Sequence, residues 1–234
     1  MRIYLLVFAI PMTFCTYYGF SQKKNKESPY IELAKISDRY EHIANLNFKV
    51  KYTYTDSANE NKILDTSSVE FSIAKGQIQS NNEKVEIVSA KDFYVYVDKE
   101  TKNIYLYKNQ KRSILQIPLT DSLFQRAHIQ EMHVKKIDDS TSKLIFSFKK
   151  GSFYHGYELI YQSNSDLIKQ IKYYIPSLGK YSLDKRILCI KIDFDSYNVL
   201  PVDASVFDKQ RFFKKSSNTV LLQSVYQQYK LHIN

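Results

Sequence analysis

The side chains able to do chemistry are few and scattered. Histidines fall at 42, 128, 133, 155 and 232. No two of them have the i, i+4 spacing that places a pair of imidazoles on one helix face around zinc. His128 and His133 flank a predicted helix-to-strand change, a loose pair of a kind seldom found as metal ligands. Asp138-Asp139 sits in a predicted turn, where aspartate is favoured for local hydrogen bonds. Asp193 and Asp195 lie near the end of an alternating strand, outward from Ile192 and Phe194. Both pairs read as solvated acids, because a general acid needs burial or a charged partner to shift its pKa. Cys189 lies in the apolar run "RILCIKIDF" and reads as a buried, inert thiol. The 5 glycines form neither a phosphate loop nor a GxSxG elbow. The expectation is a protein that is no enzyme, with no metal and no cofactor.

Aromatic surface is what the chain has in excess, with 20 tyrosines, 14 phenylalanines and no tryptophan. Tyrosine suits a wall that is apolar along its body and wet at its tip, and ligand pockets are mostly apolar with few polar groups. The same residues also serve simply to fill a core, which needs no functional reason. The candidate apolar lining is Phe48, Val50, Tyr52, Val69, Phe71, Ile73, Phe93, Val95, Val97, Ile104, Leu106, Phe146 and Leu159.

These residues need a frame, and the frame reads as strands. Phe48, Val50, Tyr52 and Tyr54 alternate with polar partners, as do Val69, Phe71 and Ile73; this is period-2 patterning of half-buried strands. The stretch "KVEIVSAKDFYVYVDKETKNIYLYKN" (84–109) predicts a hairpin apolar on both faces and hence in mid-sheet, with Phe93, Val95 and Val97 inward and Tyr94 and Tyr96 on the wetter side. Further strands are expected over Met132–Ile137, at Leu144–Phe148, Tyr157–Tyr161 and Leu167–Ile175, and through Leu188–Phe194. Before them, Ser28-Pro29 opens a helix over about 29–44, with Leu33, Ile36, Tyr40 and Ile43 at helical spacing. A second, short helix is expected over Thr120–Gln130. Eight to ten antiparallel strands in series imply a mainly β (α+β) fold, a meander curled into an open half-barrel with helices packed on it.

The N-terminus reads as an address. Arg2 precedes an apolar run from Ile3 to Cys15, of secretory-signal length, and Gly19-Phe20-Ser21 predicts cleavage after Ser21. Phe14 directly before Cys15 argues against a lipid anchor there. Residues 22–28 read as a linker, 29–213 as the domain and 214–234 as an extension that adds a strand or docks. Without Cys15 a single cysteine remains, so the exported chain relies on its core rather than a disulfide. The net charge of +10 is spread as single lysines alternating with apolar residues, the pattern of a solvated sheet face. No clustered basic module for nucleic acid is visible.

Two stretches carry a family likeness: "EIVSAKDFYVYVDKETKNIYLYKN" (86–109), an aromatic hairpin, and "IDFDSYNVLPVDASVFD" (192–208), a closing strand with a short crossover. With the order of elements over 29–213, the chain resembles the periplasmic outer-membrane lipoprotein carrier (LolA/LolB-like) family. The resemblance implies an unclosed barrel with an apolar interior, a periplasmic location, and lipid or lipoprotein acyl chains as ligand; the chain is expected to be a monomer. Two features depart from it. Ser89-Ala90-Lys91-Asp92 stands where an Asp-Gly step is usual, and "IAKGQIQSNN" (73–82) lacks the Arg-Pro element that helps hold the carrier closed. The departures and the extension leave a second reading, a non-catalytic envelope structural or interaction module with a filled core.

Overall fold

The computed structural model describes residues 28–108, 129–176, 187–216 and 219–233. The signal segment, the Cys15 anchor and His128 lie outside these residues. So does the second helix reading, except that Ile129 and Gln130 begin a strand.

Helix α1 spans Pro29–His42. Pro29 occupies the first helical position, where its missing N–H costs nothing, and the Ser28 carbonyl accepts from the Ile31 and Glu32 amides. Glu32 in the first turn and Arg39 in the last complement the helix dipole. Ile36, Tyr40 and Ile43 are buried, so the 3.6-residue stripe faces the sheet.

The strands are β1 (Asn45–Asp56), β2 (Asn59–Ala74), β3 (Gln77–Asn81), β4 (Val85–Ser89), β5 (Phe93–Asp98), β6 (Asn103–Lys108), β7 (Ile129–Lys136), β8 (Thr141–Phe148), β9 (Gly156–Gln162), β10 (Ile168–Pro176), β11 (Ile187–Asn198), β12 (Phe213–Ser216), β13 (Thr219–Leu222) and β14 (Lys230–Ile233). Among the described residues, twelve form one curled sheet in the order β14-β6-β5-β4-β3-β2-β1-β11-β10-β9-β8-β7. Two antiparallel meanders, β1–β6 and β7–β11, are thus joined where β11 returns beside β1. The sheet does not close into a barrel, as an open half-barrel requires. There are more strands than the eight to ten expected, because β3, β12, β13 and β14 are only four or five residues long. Among the described residues the β5–β6 hairpin lies near an edge rather than in mid-sheet, since only β14, paired parallel to β6, stands outside it.

The register divides side chains between two faces. Leu46, Phe48, Val50, Tyr52 and Tyr54 of β1 share a face with Ile73, Phe71 and Val69 of β2, and with Phe194, Ile192 and Ile190 of β11. This face carries α1 and the larger core cluster. Lys49, Lys51, Lys191, Asp193 and Lys172 take the other face, which is solvated over this half of the sheet. At the β3–β6 end that other face is covered. Val88, Phe93, Val95, Val97, Ile104 and Leu106 pack there against Phe207, Phe212, Phe213 and Leu231 of the C-terminal segment.

A closed hydrogen-bond ring fastens α1. The Ile168 amide donates to Tyr40 Oη (3.1 Å), and Tyr197 Oη donates to the Ile168 carbonyl (2.6 Å). Tyr40 must therefore donate to Tyr197 Oη, 2.6 Å away. Farther up the helix, Tyr161 Oη donates to Glu32 (2.9 Å), which also takes Lys35 (2.7 Å). Tyr40→Phe breaks the ring and strands the buried Ile168 amide, so we expect a loss of ~1–3 kcal/mol in chemical denaturation. Tyr40→Phe in a Tyr197→Phe background should cost less, because the two hydroxyls share one network.

Candidate apolar binding site

The cross-strand register assembles the site from rungs. One rung runs Tyr52–Ile192–Ile171–Leu159–Leu144–Val134, and the next runs Tyr54–Ile190–Tyr173–Tyr157–Phe146–Met132. Neither holds a charged residue. The α1 anchors, Tyr161 and Ile168, lie one rung beyond Leu159 and Ile171 in the opposite direction. From Tyr161 to Tyr157 is roughly 13 Å along a strand, while a helix with its side chains is about 10 Å across. The outer rung therefore lies past the footprint of α1. Tyr54, Tyr173 and Met132 there are half-buried, as are Ile175 and Phe148 beside them. Tyr154, from the loop before β9, packs edge-on to Tyr173 at 5.9 Å and against Phe148 at 5.5 Å. Phe146 meets Tyr157 edge to face at 5.2 Å.

The electrostatics of this wall are those of neutral phenols. Burial pushes the Tyr52 hydroxyl up to about 12, and burial, followed by neighbouring phenols, also raises Tyr173 and Tyr157 above the usual phenol range. Such groups stay protonated at any physiological pH and offer neither base nor nucleophile. Cys189 belongs to the opposite face; burial raises its thiol above the usual range, against activation. Among the described residues, no three His, Cys, Asp or Glu side chains come together as a metal would need. His133 is exposed beside Glu131 at 3.2 Å. Asp138 caps its own turn, held low by the Ser140 amide and hydroxyl, while Asp193 accepts from Gln170 (2.8 Å) and pairs with Lys191 (3.1 Å).

The thirteen residues singled out from sequence do not share one wall. Phe48, Val50, Tyr52, Val69, Phe71, Ile73, Phe146 and Leu159 lie on the α1 face. Phe93, Val95, Val97, Ile104 and Leu106 lie on the opposite face, packed by the C-terminal segment. Phe48 stacks on Phe71 (5.0 Å) at the helix end. Val50, Ile73 and Leu159 are sealed in the core, Val69 is half-buried opposite Val50, and only Tyr52 and Phe146 sit in the two rungs nearest the open end besides Leu159. Tyr54, Tyr173, Tyr157 and Met132 stand in the outer rung and are not among the thirteen. All four alternate at period 2 in strands, but only the register aligns them. On the β5 strand, Phe93, Val95 and Val97 are buried while Tyr94 and Tyr96 are half-exposed.

No family model matches the sequence, and no curated protein matches it. Solved structures do resemble it. The chain is similar to a LolA superfamily protein from Nitrosomonas europaea, with 9% identity over 76% of this chain and 98% of the other and a TM-score of 0.36. An uncharacterized conserved protein from Thermus thermophilus shows 8% identity over 86% and 98%, with a TM-score of 0.44. A putative outer membrane lipoprotein-sorting protein domain from Vibrio parahaemolyticus shows 10% identity over 77% and 96%, with a TM-score of 0.36. The likeness is of fold alone, and no role is taken from it.

Proposed function

We propose that the chain is an exported, non-catalytic periplasmic protein that holds a lipid-like acyl chain against the aromatic rung beyond α1. The rung Tyr54–Ile190–Tyr173–Tyr157–Phe146–Met132 carries this reading: a continuous uncharged wall, half-buried at its ends, on the helix-bearing face. An acyl chain asks for no polar partner along its length and gains ~0.8 kcal/mol for each methylene taken from water. Tyrosine hydroxyls at the rim of such a wall can meet a headgroup while the rings meet the chain. Raised phenol pKa values fit binding rather than acid–base work. The apolar run before Ser21 supports export.

Gently purified protein should release acyl chains into a mass spectrometer after organic extraction, and the delipidated protein should bind a fluorescent fatty acid. Tyr173→Lys, which sets a charge into the wall, should weaken that probe by at least ~10-fold. Protein that carries no acyl chain and ignores the probe would refute the reading.

A further inference from the structure

The last 26 residues, Lys209–Asn234, contain Lys209, Arg211, Lys214, Lys215 and Lys230 but no aspartate or glutamate. Arg211 is consumed internally: it pairs with Glu86 at 2.8 Å. The nearest preceding acids, Asp203 and Asp208, turn back onto their own 3-10 turns, accepting from the Ser205 and Gln210 amides. Four lysines therefore have no acid within their own stretch of chain.

The same segment presents apolar groups outward. In the β12–β13 hairpin, Phe213 is buried at the base and registers with Leu222. The next rungs set Lys214 opposite Leu221 and Lys215 opposite Val220. Val220 and Leu221 are successive strand residues and so point to opposite sides, yet both are exposed, at 39% and 52%. The hairpin thus projects from the body with an aliphatic side chain on each face. Val225 follows at 71% exposed, with half-exposed Tyr226 and Tyr229 beside it.

We infer that this projecting hairpin and the turn after it dock the protein on an anionic lipid surface. The exposed aliphatic side chains Leu221 and Val225 would enter the headgroup layer, and Lys214 would reach past its rung to the lipid phosphates. The exposed Lys209, Lys214 and Lys230, in a stretch of chain without acids, complement such a membrane. This inference is independent of the acyl-chain site, which lies on the opposite face of the sheet.

The test is sedimentation of the mature chain with vesicles of phosphatidylcholine alone or of equal parts phosphatidylcholine and phosphatidylglycerol. Binding should be confined to the anionic vesicles and should fall as salt is raised. Lys214→Glu should weaken it on the order of 10-fold and Leu221→Ser roughly 5-fold, while both variants keep wild-type binding of the fluorescent fatty acid. Lys149→Glu, in the β8–β9 turn, should change nothing. Equal binding to both vesicles, or indifference to Lys214→Glu and Leu221→Ser, would overturn the inference. So would binding to polyglutamate without binding to anionic vesicles, which would assign the face to an acidic protein.

Discussion

Phe212→Ala should destabilise the protein by ~3–5 kcal/mol, among the largest effects of any single truncation. Phe212 is fully buried, at 0% exposure, in the cluster that joins the C-terminal segment to the sheet. Its ring meets Phe213 at 5.9 Å and Tyr226 at 5.6 Å, and the Arg211 guanidinium lies 5.0 Å above it. Its carbonyl also accepts from the Gln223 amide (2.9 Å), which fixes the path toward β14. A cavity here would loosen Lys209–Ile233 together, because these rings, the Arg211–Glu86 pair and the β14–β6 pairing hold that segment to the sheet. Urea unfolding should show the loss. Hydrogen exchange should show faster exchange at Lys230 and His232, whose amides face β6, and unchanged protection at Leu159 and Ile171 in the other cluster. A loss below ~1 kcal/mol, or uniform loosening of both clusters, would contradict the two-cluster description.

Arg211→Met should cost about 2–3 kcal/mol. Glu86 is buried at 5% exposure on a sheet face otherwise lined by Val88, Val95 and Val97. Its carboxylate takes Gln79 Nε2 at 2.6 Å and Arg211 Nη2 at 2.8 Å, and Arg211 Nη1 donates to the Val206 carbonyl at 2.7 Å. Removing the guanidinium leaves a buried anion with one neutral donor. The Arg211 side chain is 32% exposed, which places the effect below that of a fully sealed pair. Replacing both partners, Glu86→Leu with Arg211→Met, should recover most of the loss, since an apolar pair carries no desolvation penalty. A double-mutant cycle by chemical denaturation gives the coupling; additive single losses would show that the pair does not hold the segment down.

These two sites also show what the sequence made legible. Strand patterning was readable wherever one face is buried: β1, β5, β8 and β9 alternate cleanly because a one-residue slip would turn every apolar side chain to water. Helix α1 was readable from Ser28-Pro29 and the Leu33–Ile43 stripe, and ends at His42, two residues short of the expected end. Which face each apolar set occupies was not readable. Ile78 opposes Ser89 and Ile87 opposes Tyr96, so by β5 the tyrosines have come to the α1 side and Phe93, Val95 and Val97 to the other. Period 2 fixes alternation within a strand, whereas the register between strands fixes the face. The apolar character of the hairpin on both sides suggested a central strand. Its cause is instead the cover laid down by Phe207, Phe212 and Phe213. That cover is built of 3-10 turns and four-residue strands, too short to show a period.

The candidate site was legible in kind but only partly in place. An excess of tyrosine pointed to an uncharged wall, and Tyr52 and Phe146 fall on it. Tyr54, Tyr173 and Met132 complete it only because β11 returns to pair with β1, a contact between residues far apart in the chain.

The most direct test places the ligand. A fatty acid carrying a nitroxide on its chain, added to protein labelled at methionine and leucine methyl groups, should broaden the Met132 methyl resonance. The Leu231 methyls, in the cluster on the opposite face of the sheet, should stay sharp. Broadening of Leu231 with a sharp Met132, or no broadening of either under saturating probe, would contradict an acyl-chain site on the aromatic rung.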